Sequence, residues 1–362
     1  MAEAPGETVD AQAYPGLILV RSIRMSEITV AIDAMGGDNA PGCVIEGTIA
    51  ALSESDDINV ILCGDSEIIK KGFKEHGFEG SLPDRVSVVH TTEEIGMAEH
   101  PTNAIRKKKD SSMVVGLNLV KEGKADAFVS AGNSGAILAG GTLLVGRLKG
   151  IERPPLAPII PTANGVSMVI DCGANMDARP SWLVQFAQMG SVYMKEIIGI
   201  DNPRVAIVNV GAEEEKGNAL VKETFPLLKE TKGINFIGSI EARDIPVGYA
   251  DVCVCDAFVG NVILKLYEGL ASTLISKIKE GLTSTTLSTI GAALAKPALR
   301  NTLKDFDATK YGGAPLLGCK GLVVKTHGSA RANEIKNTIL QCRQFKEYDF
   351  TGKLTRGIGL TE

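Results

Sequence analysis

One segment of this chain joins a buried strand, a glycine turn and the start of a helix without interruption. Residues 28–32 are apolar and rich in β-branched side chains, which is typical of a central strand in a parallel sheet. Gly36 and Gly37 have no Cβ, so the backbone can turn tightly there and approach a ligand closely. Pro41 suits the first turn of a helix, whose free N–H groups favour an anion. The segment therefore predicts a strand–turn–helix unit with an anion site at the turn.

Two carboxylates flank this turn, Asp33 at the end of the strand and Asp38 after the glycines. Short carboxylates are common at turns, where they accept hydrogen bonds from nearby backbone N–H groups. The residues alone leave two interpretations open: the aspartates cap the turn, or they take part in the binding site.

The rest of the chain repeats the alternation of strand and helix. This alternation predicts an α/β fold with a largely parallel sheet. Ligands bind such sheets at the carboxyl ends of the strands, so the site is expected in the loops that follow them. The predicted strands cover residues 28–32, 58–63, 86–89, 127–130, 159–160, 167–170, 205–210, 234–237, 251–255 and 322–324.

Small and polar residues follow several of these strands. Glycine backbone, amides, hydroxyls and a lysine in such loops form a polar cleft that suits an oxyanion. None of the loops is a phosphate-binding loop of the Walker A type. The candidate residues are Asn133, Ser134, Gly135, Asp171, Asn175, Lys216, Asn218, Asn261, His327 and Ser329.

The sequence lacks the short motifs of several enzyme classes. It has no Gly-x-Gly-x-x-Gly fingerprint after the first strand, no Gly-x-Ser-x-Gly nucleophile elbow and no His-Glu-x-x-His metal helix. The seven cysteines are scattered and odd in number, which favours buried reduced thiols over a disulfide framework. A formal net charge of −5 argues against a general nucleic-acid binder. We therefore expect no cofactor, no metal and no nucleic-acid partner.

Residues 1–24 differ from the rest of the chain. They hold no basic segment followed by a long apolar core, so they do not resemble a signal peptide. Because Met25 directly precedes the first strand, we expect residues 1–24 to be a leader or an upstream extension without a role in the core. Residues 25–362 are expected to form a single α/β domain, and no apolar run in the chain reaches the roughly 18–20 residues of a transmembrane helix.

The segment from about residue 269 to residue 304 predicts a helical hairpin inserted into this domain. Apolar residues recur at helical spacing in two stripes, with a break after Gly281, and basic residues lie nearby. The stripes can pack on each other or on a dimer partner, or the second can contact lipid. The first stripe is Leu270, Leu274, Ile278 and Leu282, and the second is Leu287, Ile290 and Leu294.

Seven motifs in this order resemble those of the PlsX family of bacterial acyl-ACP:phosphate acyltransferases. They are DAMGGDNAP at residues 33–41, SAGNSGA at 130–136, DCGAN at 171–175, KGN at 216–218, DAFVGN at 256–261, YGGAP at 311–315 and HGS at 327–329. The second has Ser where the family has Thr, and the third has Cys where the family has Val. Ala219 replaces the glutamate that follows KGN in the family, which leaves no carboxylate for a role there.

The resemblance implies transfer of a long-chain fatty acyl group from acyl carrier protein to inorganic phosphate, giving acyl phosphate for phospholipid synthesis. It also implies a three-layer α/β/α sandwich like those of isopropylmalate dehydrogenases and phosphotransacetylases. Members of the family are cytoplasmic homodimers, peripherally associated with the inner face of the cell membrane. They supply acyl phosphate to the downstream glycerol-3-phosphate acyltransferase.

Phosphate is itself a nucleophile, so this reaction needs no covalent intermediate, only positioning and donors for the developing oxyanion. Lys216 and Asn218 are expected at the reacting groups, and His327 either donates a proton to the departing thiolate or holds its turn. The residues expected to bind phosphate or substrate are Asp33, Gly36, Gly37, Asp38, Asn133, Ser134, Gly135, Asp171, Asn175, Asn261 and Ser329.

A run of four basic residues has two interpretations. It is either a solvated helical face or, with the family resemblance, a docking surface for the acidic carrier protein. The run is Arg106, Lys107, Lys108 and Lys109.

Three other functions stay open for this fold class. An isopropylmalate-type dehydrogenase would bind a nicotinamide and usually a divalent metal. A short-chain phosphotransacetylase would use coenzyme A thioesters. A non-enzymatic acyl-binding or scaffold protein of the membrane surface would release no thiol from acyl-ACP.

Overall fold

In the computed structural model, which describes residues 27–359, two mixed and mostly parallel sheets form the centre of the protein. The predicted leader at residues 1–24 lies outside the described residues. The strands are β1 (Ile28–Asp33), β2 (Ile58–Gly64), β3 (Val86–His90), β4 (Ala127–Ser130), β5 (Ile159–Thr162), β6 (Gly165–Ile170), β7 (Arg204–Val208), β8 (Asn235–Ile240), β9 (Val252–Val254), β10 (Ala314–Pro315) and β11 (Leu322–Lys325).

Helices connect these strands and continue after them. They are α1 (Gly42–Glu54), α2 (Ser66–Glu75), α3 (Pro101–Lys107), α4 (Ser112–Lys121), α5 (Ser134–Gly140), α6 (Pro180–Tyr193), α7 (Ala219–Glu230), α8 (Ala257–Leu282), α9 (Thr286–Asp305), α10 (Ala332–Glu347) and α11 (Phe350–Gly357).

The strand order is β10-β11-β4-β1-β2-β3 in the first sheet and β5-β6-β9-β7-β8 in the second. Each sheet is parallel except for one edge strand, β10 in the first and β5 in the second. The predicted α/β class with largely parallel pairing is confirmed. The sequence does not indicate the division into two sheets, because that division depends on which distant strands pair.

Helices cover both faces of the sheets, since successive side chains of a strand point to opposite faces. Val30 and Ile32 of β1 pack with α1 and α10, whereas Ala31 packs on the other side with α4 and α5. In the second sheet Met168 of β6 packs with α6, and its neighbour Val169 lies on the side of α8. This layering is the expected α/β/α sandwich.

The two sheets meet along their antiparallel edges. The Ala157 N–H donates to the Pro315 carbonyl at 3.1 Å, and the Leu317 N–H donates to the Pro155 carbonyl at 3.0 Å. These bonds place β5 beside β10. The clefts between the sheets therefore lie next to this junction.

The predicted helical hairpin is present as α8 and α9, which contact each other and are separated at residues 283–285. Helix α8 begins at Ala257, so the hairpin continues a helix that starts in the core rather than at Gly269. Thr285 caps α9 by accepting a hydrogen bond from the Ser288 N–H. Helix α8 is long and apolar enough to cross a membrane by length and composition, since an 18-residue window of it has a mean hydropathy of 1.3, although the sequence shows no uninterrupted apolar run.

One boundary differs from the sequence analysis. Helix α3 ends at Lys107, before the last two residues of the basic run. After β11 the chain forms two helices, α10 and α11, and Asp349 between them has a left-handed conformation. All seven cysteines are buried with free thiols.

Candidate active site

The first predicted site residue, Asp33, is buried and holds three elements together. Its carboxylate accepts hydrogen bonds from the Ser112 hydroxyl at 2.6 Å and the Ser130 hydroxyl at 2.7 Å. Burial raises the pKa of Asp33, and these two hydrogen bonds oppose the rise. Asp33 thus connects the end of β1 to α4 and to the end of β4. Its role is to fix the conformation of the loops at these ends.

The glycine turn after β1 lies too close to neighbouring residues to accommodate side chains of its own. A Cβ at Gly36 would lie 2.3 Å from the Asp33 carboxylate, and a Cβ at Gly37 would lie 2.8 Å from the Ala131 Cβ. Gly37 also has a φ of 108°, which side chains rarely adopt. The Asp38 N–H donates to the Gly328 carbonyl at 2.8 Å. The loop after β1 therefore contacts the loops after β4 and β11.

Further hydrogen bonds fix the loop after β11 in the same place. The Asn39 amide donates to the Ser329 carbonyl at 3.0 Å and to the Ala330 carbonyl at 3.1 Å. The Thr326 N–H donates to the Ser130 carbonyl at 2.9 Å. The structure thus brings together the loops that carry Gly36, Gly37, Asp38, Asn133, Ser134, Gly135, His327 and Ser329.

Asn133 uses its side chain within the loops. Its oxygen accepts from the Ala136 N–H at the start of α5, and its amide donates to the carbonyls of Gly96, Met97 and Glu99 at 3.0–3.2 Å. Ser134, next along the chain, is exposed. Asn133 therefore orders the first turn of α5, whereas the Ser134 hydroxyl is open to a ligand.

Asp171 organises the corresponding loop of the second sheet. Its carboxylate accepts hydrogen bonds from the N–H groups of Leu156, Gly173, Ala174 and Asn175 and from the Asn175 amide, all at 2.7–3.1 Å. Burial raises the pKa of Asp171, and the hydrogen bonds oppose the rise. Like Asp33, this buried carboxylate fixes the conformation of a loop by accepting hydrogen bonds from it.

The two sheets contribute to one shared cavity at these loops. A cavity of about 300 Å³ is lined by Gly135 of the first sheet and by Gly173 and Asn175 of the second. The Asn175 carbonyl accepts from the Ala257 N–H, and a Cβ at Gly260 would lie 1.9 Å from the Asp171 carbonyl. The start of α8, where half-buried Asn261 follows Gly260, is therefore pressed against the loop after β6.

A second cleft, of about 210 Å³, lies where α8 crosses the end of β11. At one end it holds charged and polar side chains from both sheets. Its wall is mostly apolar and follows β5, α8 and the end of α9. The polar residues are Lys265, Glu268, Lys325, Thr326 and His327, and the apolar ones include Leu156, Ile159, Ile160, Leu264, Ala271 and Phe306.

The contacts of His327 assign its tautomer. The Ser329 N–H donates to His327 Nδ1 at 3.2 Å, and the Ser329 hydroxyl lies 2.7 Å from the same nitrogen. Since Nδ1 accepts, the neutral ring carries its proton on Nε2. That nitrogen can donate to the Glu268 carboxylate, 3.5 Å away, whereas the Lys265 ammonium, 3.2 Å away, is itself a donor and cannot accept from it. The proton of His327 thus faces the cleft.

The charged side chains at this end of the cleft shift one another's pKa values. Burial raises the pKa of Glu268, but hydrogen bonds from His327 and Lys265 outweigh it and lower that pKa to about 2. Burial and the nearby charge of Lys265 lower the pKa of Lys325 to about 8. The sequence analysis selects His327 here and misses Lys265, Glu268, Lys325 and Thr326. The available signal was the lysine that ends β11, two residues before the first residue of the His-Gly-Ser motif.

Lys216 and Asn218 lie apart from these clefts, in the loop after β7. The Lys216 ammonium pairs with Glu213 at 2.8 Å, which raises the Lys216 pKa, and both side chains are exposed. Asn218 caps α7 by accepting from the Val221 N–H at 2.9 Å. Because β6, β9 and β7 are parallel neighbours, this loop opens at the same edge of the second sheet as Asp171 and Asn261. Their predicted catalytic role stays a prediction.

The basic run divides into two pairs. Lys108 forms an ion pair with Glu99 at 2.6 Å, and the Lys109 ammonium donates to the Ile105 carbonyl at 3.4 Å. Arg106 and Lys107 lie exposed in the last turn of α3. Lys109 is exposed as well, so Arg106, Lys107 and Lys109 are the accessible part of the predicted docking surface.

The predicted membrane stripe is exposed. Leu287, Ile290 and Leu294 on α9 have exposed fractions of 81%, 56% and 80%. Leu270, Leu274 and Ile278 on α8 are also exposed. Neither stripe is therefore covered within one chain.

Among residues 27–359, no group of three or more His, Cys, Asp or Glu side chains is placed to hold a metal ion.

Comparison with known proteins identifies relatives over nearly the whole chain. Residues 28–353 match the family described as fatty acid synthesis protein. The phosphate acyltransferase of Clostridium perfringens is 50% identical over 329 residues, which cover 91% of this chain and 96% of that protein. The phosphate acyltransferase of Alkaliphilus oremlandii is 50% identical over 329 residues, which cover 91% and 97%.

Solved structures share the fold at low sequence identity. The EutD phosphotransacetylase from Staphylococcus aureus has a TM-score of 0.55 at 17% identity, covering 88% of this chain and 95% of that one. A phosphotransacetylase from Streptococcus pyogenes has a TM-score of 0.54 at 18% identity, covering 89% and 94%. These likenesses confirm the expected fold.

Proposed function

Because this chain belongs to the PlsX family and is a phosphate acyltransferase, we propose that it transfers a long-chain fatty acyl group from acyl carrier protein to inorganic phosphate. The product is an acyl phosphate that enters phospholipid synthesis. The observation that carries the proposal is the cleft at α8, which joins a cationic end to an apolar wall. An acyl phosphate likewise has an anionic head, which would contact the cationic end, and an apolar chain, which would contact the wall.

The apolar wall supports a long acyl chain as the substrate. Ile160 of β5 lies in the same apolar cluster as Leu264 of α8, and Ile159 and Phe306, the latter at the end of α9, also line the cleft. Burying each such aliphatic contact contributes favourable free energy in proportion to the apolar area removed from water. A two-carbon acyl group would leave most of this wall uncovered, which favours long chains over the short-chain alternative.

Direct attack by phosphate explains the residue types at the polar end. A phosphate oxygen forms a bond to the thioester carbonyl carbon, the carbon–sulfur bond breaks, and the thiolate takes up a proton. His327 has its Nε2 towards the cleft; as an imidazolium it supplies that proton from Nε2 and returns to the neutral ring. Ser134 and the backbone N–H groups of the glycine loops supply donors for phosphate or the developing oxyanion. Lys216 approaches the same edge from the second sheet.

Arg106 and Lys107 form the proposed contact with the carrier protein. Both are exposed, and their helix begins at Pro101, which lines the shared cavity together with Gly135. An acidic partner that docks there would place its thioester arm at the mouth of that cavity. Charge attraction of this kind mainly affects association and its salt dependence.

The hairpin supports two further proposals. The chain forms a homodimer that covers the α8 stripe, and the α9 stripe contacts the anionic inner face of the cell membrane. Lys296, Arg300 and Lys304 of α9 add positive charge that favours anionic headgroups. Peripheral attachment of a cytoplasmic enzyme would bring acyl phosphate to the downstream glycerol-3-phosphate acyltransferase.

A substrate comparison tests the proposed function. Purified protein is given phosphate with either long-chain acyl-ACP or acetyl-CoA, and release of free thiol is followed. We expect rapid phosphate-dependent release from acyl-ACP only. Equal or faster turnover of acetyl-CoA would identify a short-chain phosphotransacetylase, and fluorescence titration with NADH detects a dehydrogenase.

The docking surface is tested in the same assay. The variant carrying Arg106→Glu and Lys107→Glu should raise the KM for acyl-ACP and reduce its salt dependence, while turnover of a small acyl thioester stays unchanged. A variant carrying Lys121→Glu and Lys124→Glu is the matched control. Equal losses on both substrates would place Arg106 and Lys107 in the active site or the fold instead.

A further inference from the structure

Lys325 ends the strand β11 inside the cleft and has a single short contact of its own. Its ammonium donates to the Thr326 carbonyl at 3.2 Å. No carboxylate whose side chain the structure describes lies within 4.0 Å of it, whereas Lys265 across the cleft pairs with Glu268 at 2.7 Å. The charge of Lys265 is therefore balanced by a carboxylate of the protein, whereas the charge of Lys325 is available to a ligand.

The next residue, Thr326, also lines the cleft and has a buried hydroxyl. The residue is 3% exposed, lines the cleft, and its Oγ1 has no hydrogen-bond partner among the described residues. Leaving a buried polar group unpaired is costly, so such groups normally have a partner. An acceptor oxygen bound in the cleft would supply one.

Position in the fold places both residues at the reaction site. The Thr326 N–H is bonded to the Ser130 carbonyl, so Thr326 adjoins the glycine loop after β4. His327, the proposed proton donor, is the next residue. A ligand between Lys325 and Thr326 would therefore lie within reach of the group that protonates the thiolate.

We infer that Lys325 and Thr326 bind the phosphoryl group, first as the attacking inorganic phosphate and then as the head of the acyl phosphate. The inference rests on the proposed function and assigns the acceptor site within it. An anion of charge near −2 accepts hydrogen bonds from an ammonium and a hydroxyl at once, and bonds to charged donors are the stronger kind. Lys325 binds the phosphoryl group in its protonated form and transfers no proton in the reaction.

Other charged and titratable groups face Lys325 in the cleft. Helix α8 contributes a like charge and an opposite charge, and the loop after β11, the turn at residues 308–311 and α10 contribute the rest. Because burial and Lys265 lower the pKa of Lys325 to about 8, its charge is lost within the range in which the enzyme can be assayed. The charged and titratable groups that face Lys325 in the cleft are Lys265, Tyr267, Glu268, His327, Tyr311 and Glu334.

The test measures phosphate dependence in three variants. Lys325→Met and Thr326→Val remove the ammonium and the hydroxyl with little change in volume, and Lys320→Met removes an exposed lysine just before β11 as the matched control. Steady-state rates are measured against phosphate and against acyl-ACP, and inorganic phosphate binding is measured by calorimetry. Circular dichroism and thermal unfolding establish that each variant is folded.

We expect Lys325→Met to raise the KM and Kd for phosphate by about 10- to 100-fold, the effect of losing a hydrogen bond to a charged group. Thr326→Val should raise them by a smaller factor. The KM for acyl-ACP should change less than about twofold in both. Unchanged phosphate binding in folded Lys325→Met or folded Thr326→Val would overturn the inference.

A pH series adds a signature that a structural role would not produce. In the wild type, phosphate affinity should fall as pH rises through about 8, because Lys325 loses its proton. In Lys325→Arg the guanidinium stays charged, so that part of the fall should disappear. The same pH dependence in both proteins would contradict the inference.

The outcomes also separate this inference from the proposed function. If wild-type protein shows no phosphate-dependent thiol release from acyl-ACP, the proposed function is wrong. If the wild type is active and Lys325→Met keeps its phosphate KM, only the phosphate subsite is wrong.

Discussion

The Lys265 ammonium lies 3.2 Å from Nε2 of His327. The first residue is on α8, which packs on the second sheet, and the second follows β11 of the first sheet. Glu268 lies one helical turn from Lys265 and pairs with it at 2.7 Å. These side chains therefore join the two halves of the protein at the polar end of the cleft.

The Glu268 carboxylate is expected to stabilise the fold in a pH-dependent way. Its pKa is about 2 in the folded protein against an ordinary value of 4.5, so its contribution is present above pH 4.5 and is lost as pH falls from 4.5 towards 2. Glu268→Gln should therefore unfold more easily than the wild type at pH 6 to 8, with a difference that shrinks in acid. Because its side chain is 39% exposed, the difference should be at most about 1 kcal/mol.

Urea unfolding at several pH values measures this effect. Glu280→Gln is the control, because Glu280 pairs with Lys277 at the same spacing on an exposed part of α8. A Glu268→Gln difference that stays constant from pH 7 to pH 3 would contradict the assignment.

His327→Ala should lower kcat by on the order of 10²–10⁴-fold, the usual range for loss of a general acid. The loss should be smaller for an acyl thioester of an acidic aromatic thiol, since its thiolate departs without a proton. Rate measurements on two thioesters that differ only in the thiol distinguish proton delivery by His327 from a structural role. Equal losses on both would show that His327 holds the Ser329 turn and does not deliver the proton.

The strands could be predicted closely from the sequence because they are short β-branched apolar runs between polar turns. The predicted strand at residues 127–130 coincides with β4, and that at residues 58–63 ends one residue before Gly64. The pairing of β11 with β4, on which the first sheet depends, joins residues about 190 positions apart. Local patterns carry no information on such a pairing, so the division into two sheets was not predictable.

Part of the site could also be predicted, because glycines and polar residues after strands mark the binding edge. The loops of Gly37, Asn133 and Ser329 do meet in the structure. Lys325 was missed because a lysine at a strand end is usually solvated, whereas here segments distant in the sequence enclose it. Asp33 and Asp171 were recognisable as turn residues, but their burial depends on Ser112 and Leu156 from distant segments.

Lys216→Ala should lower kcat by on the order of 10²–10³-fold if the lysine supplies a transition-state donor. Stability should change little, because Lys216 and Glu213 form an exposed pair. Lys229→Ala is the matched control, since Lys229 pairs with Glu214 of the same loop at 3.1 Å. Near-wild-type turnover of Lys216→Ala would remove this loop from the mechanism.

The variant carrying Leu287→Glu and Ile290→Glu should lose sedimentation with anionic liposomes. Burying aliphatic side chains contributes roughly 1.5–3 kcal/mol each before ordering costs, and the two glutamates would remove this gain and add repulsion from the lipid. Thiol release from acyl-ACP in solution and the dimer mass should be retained. Wild-type liposome binding would exclude the α9 stripe as the anchor, and loss of the dimer would place it at the subunit interface.

The central claim is that phosphate itself attacks the acyl-ACP thioester. Acyl phosphate reacts with hydroxylamine to give a hydroxamate, so acyl-ACP and enzyme are incubated with hydroxylamine, with and without inorganic phosphate, and the hydroxamate is measured above the enzyme-free background. The account predicts hydroxamate that requires both enzyme and phosphate and equals the free carrier protein released. Hydroxamate formed at the same rate without phosphate would contradict it, because the acyl group would then have passed through an acyl-enzyme or directly to hydroxylamine.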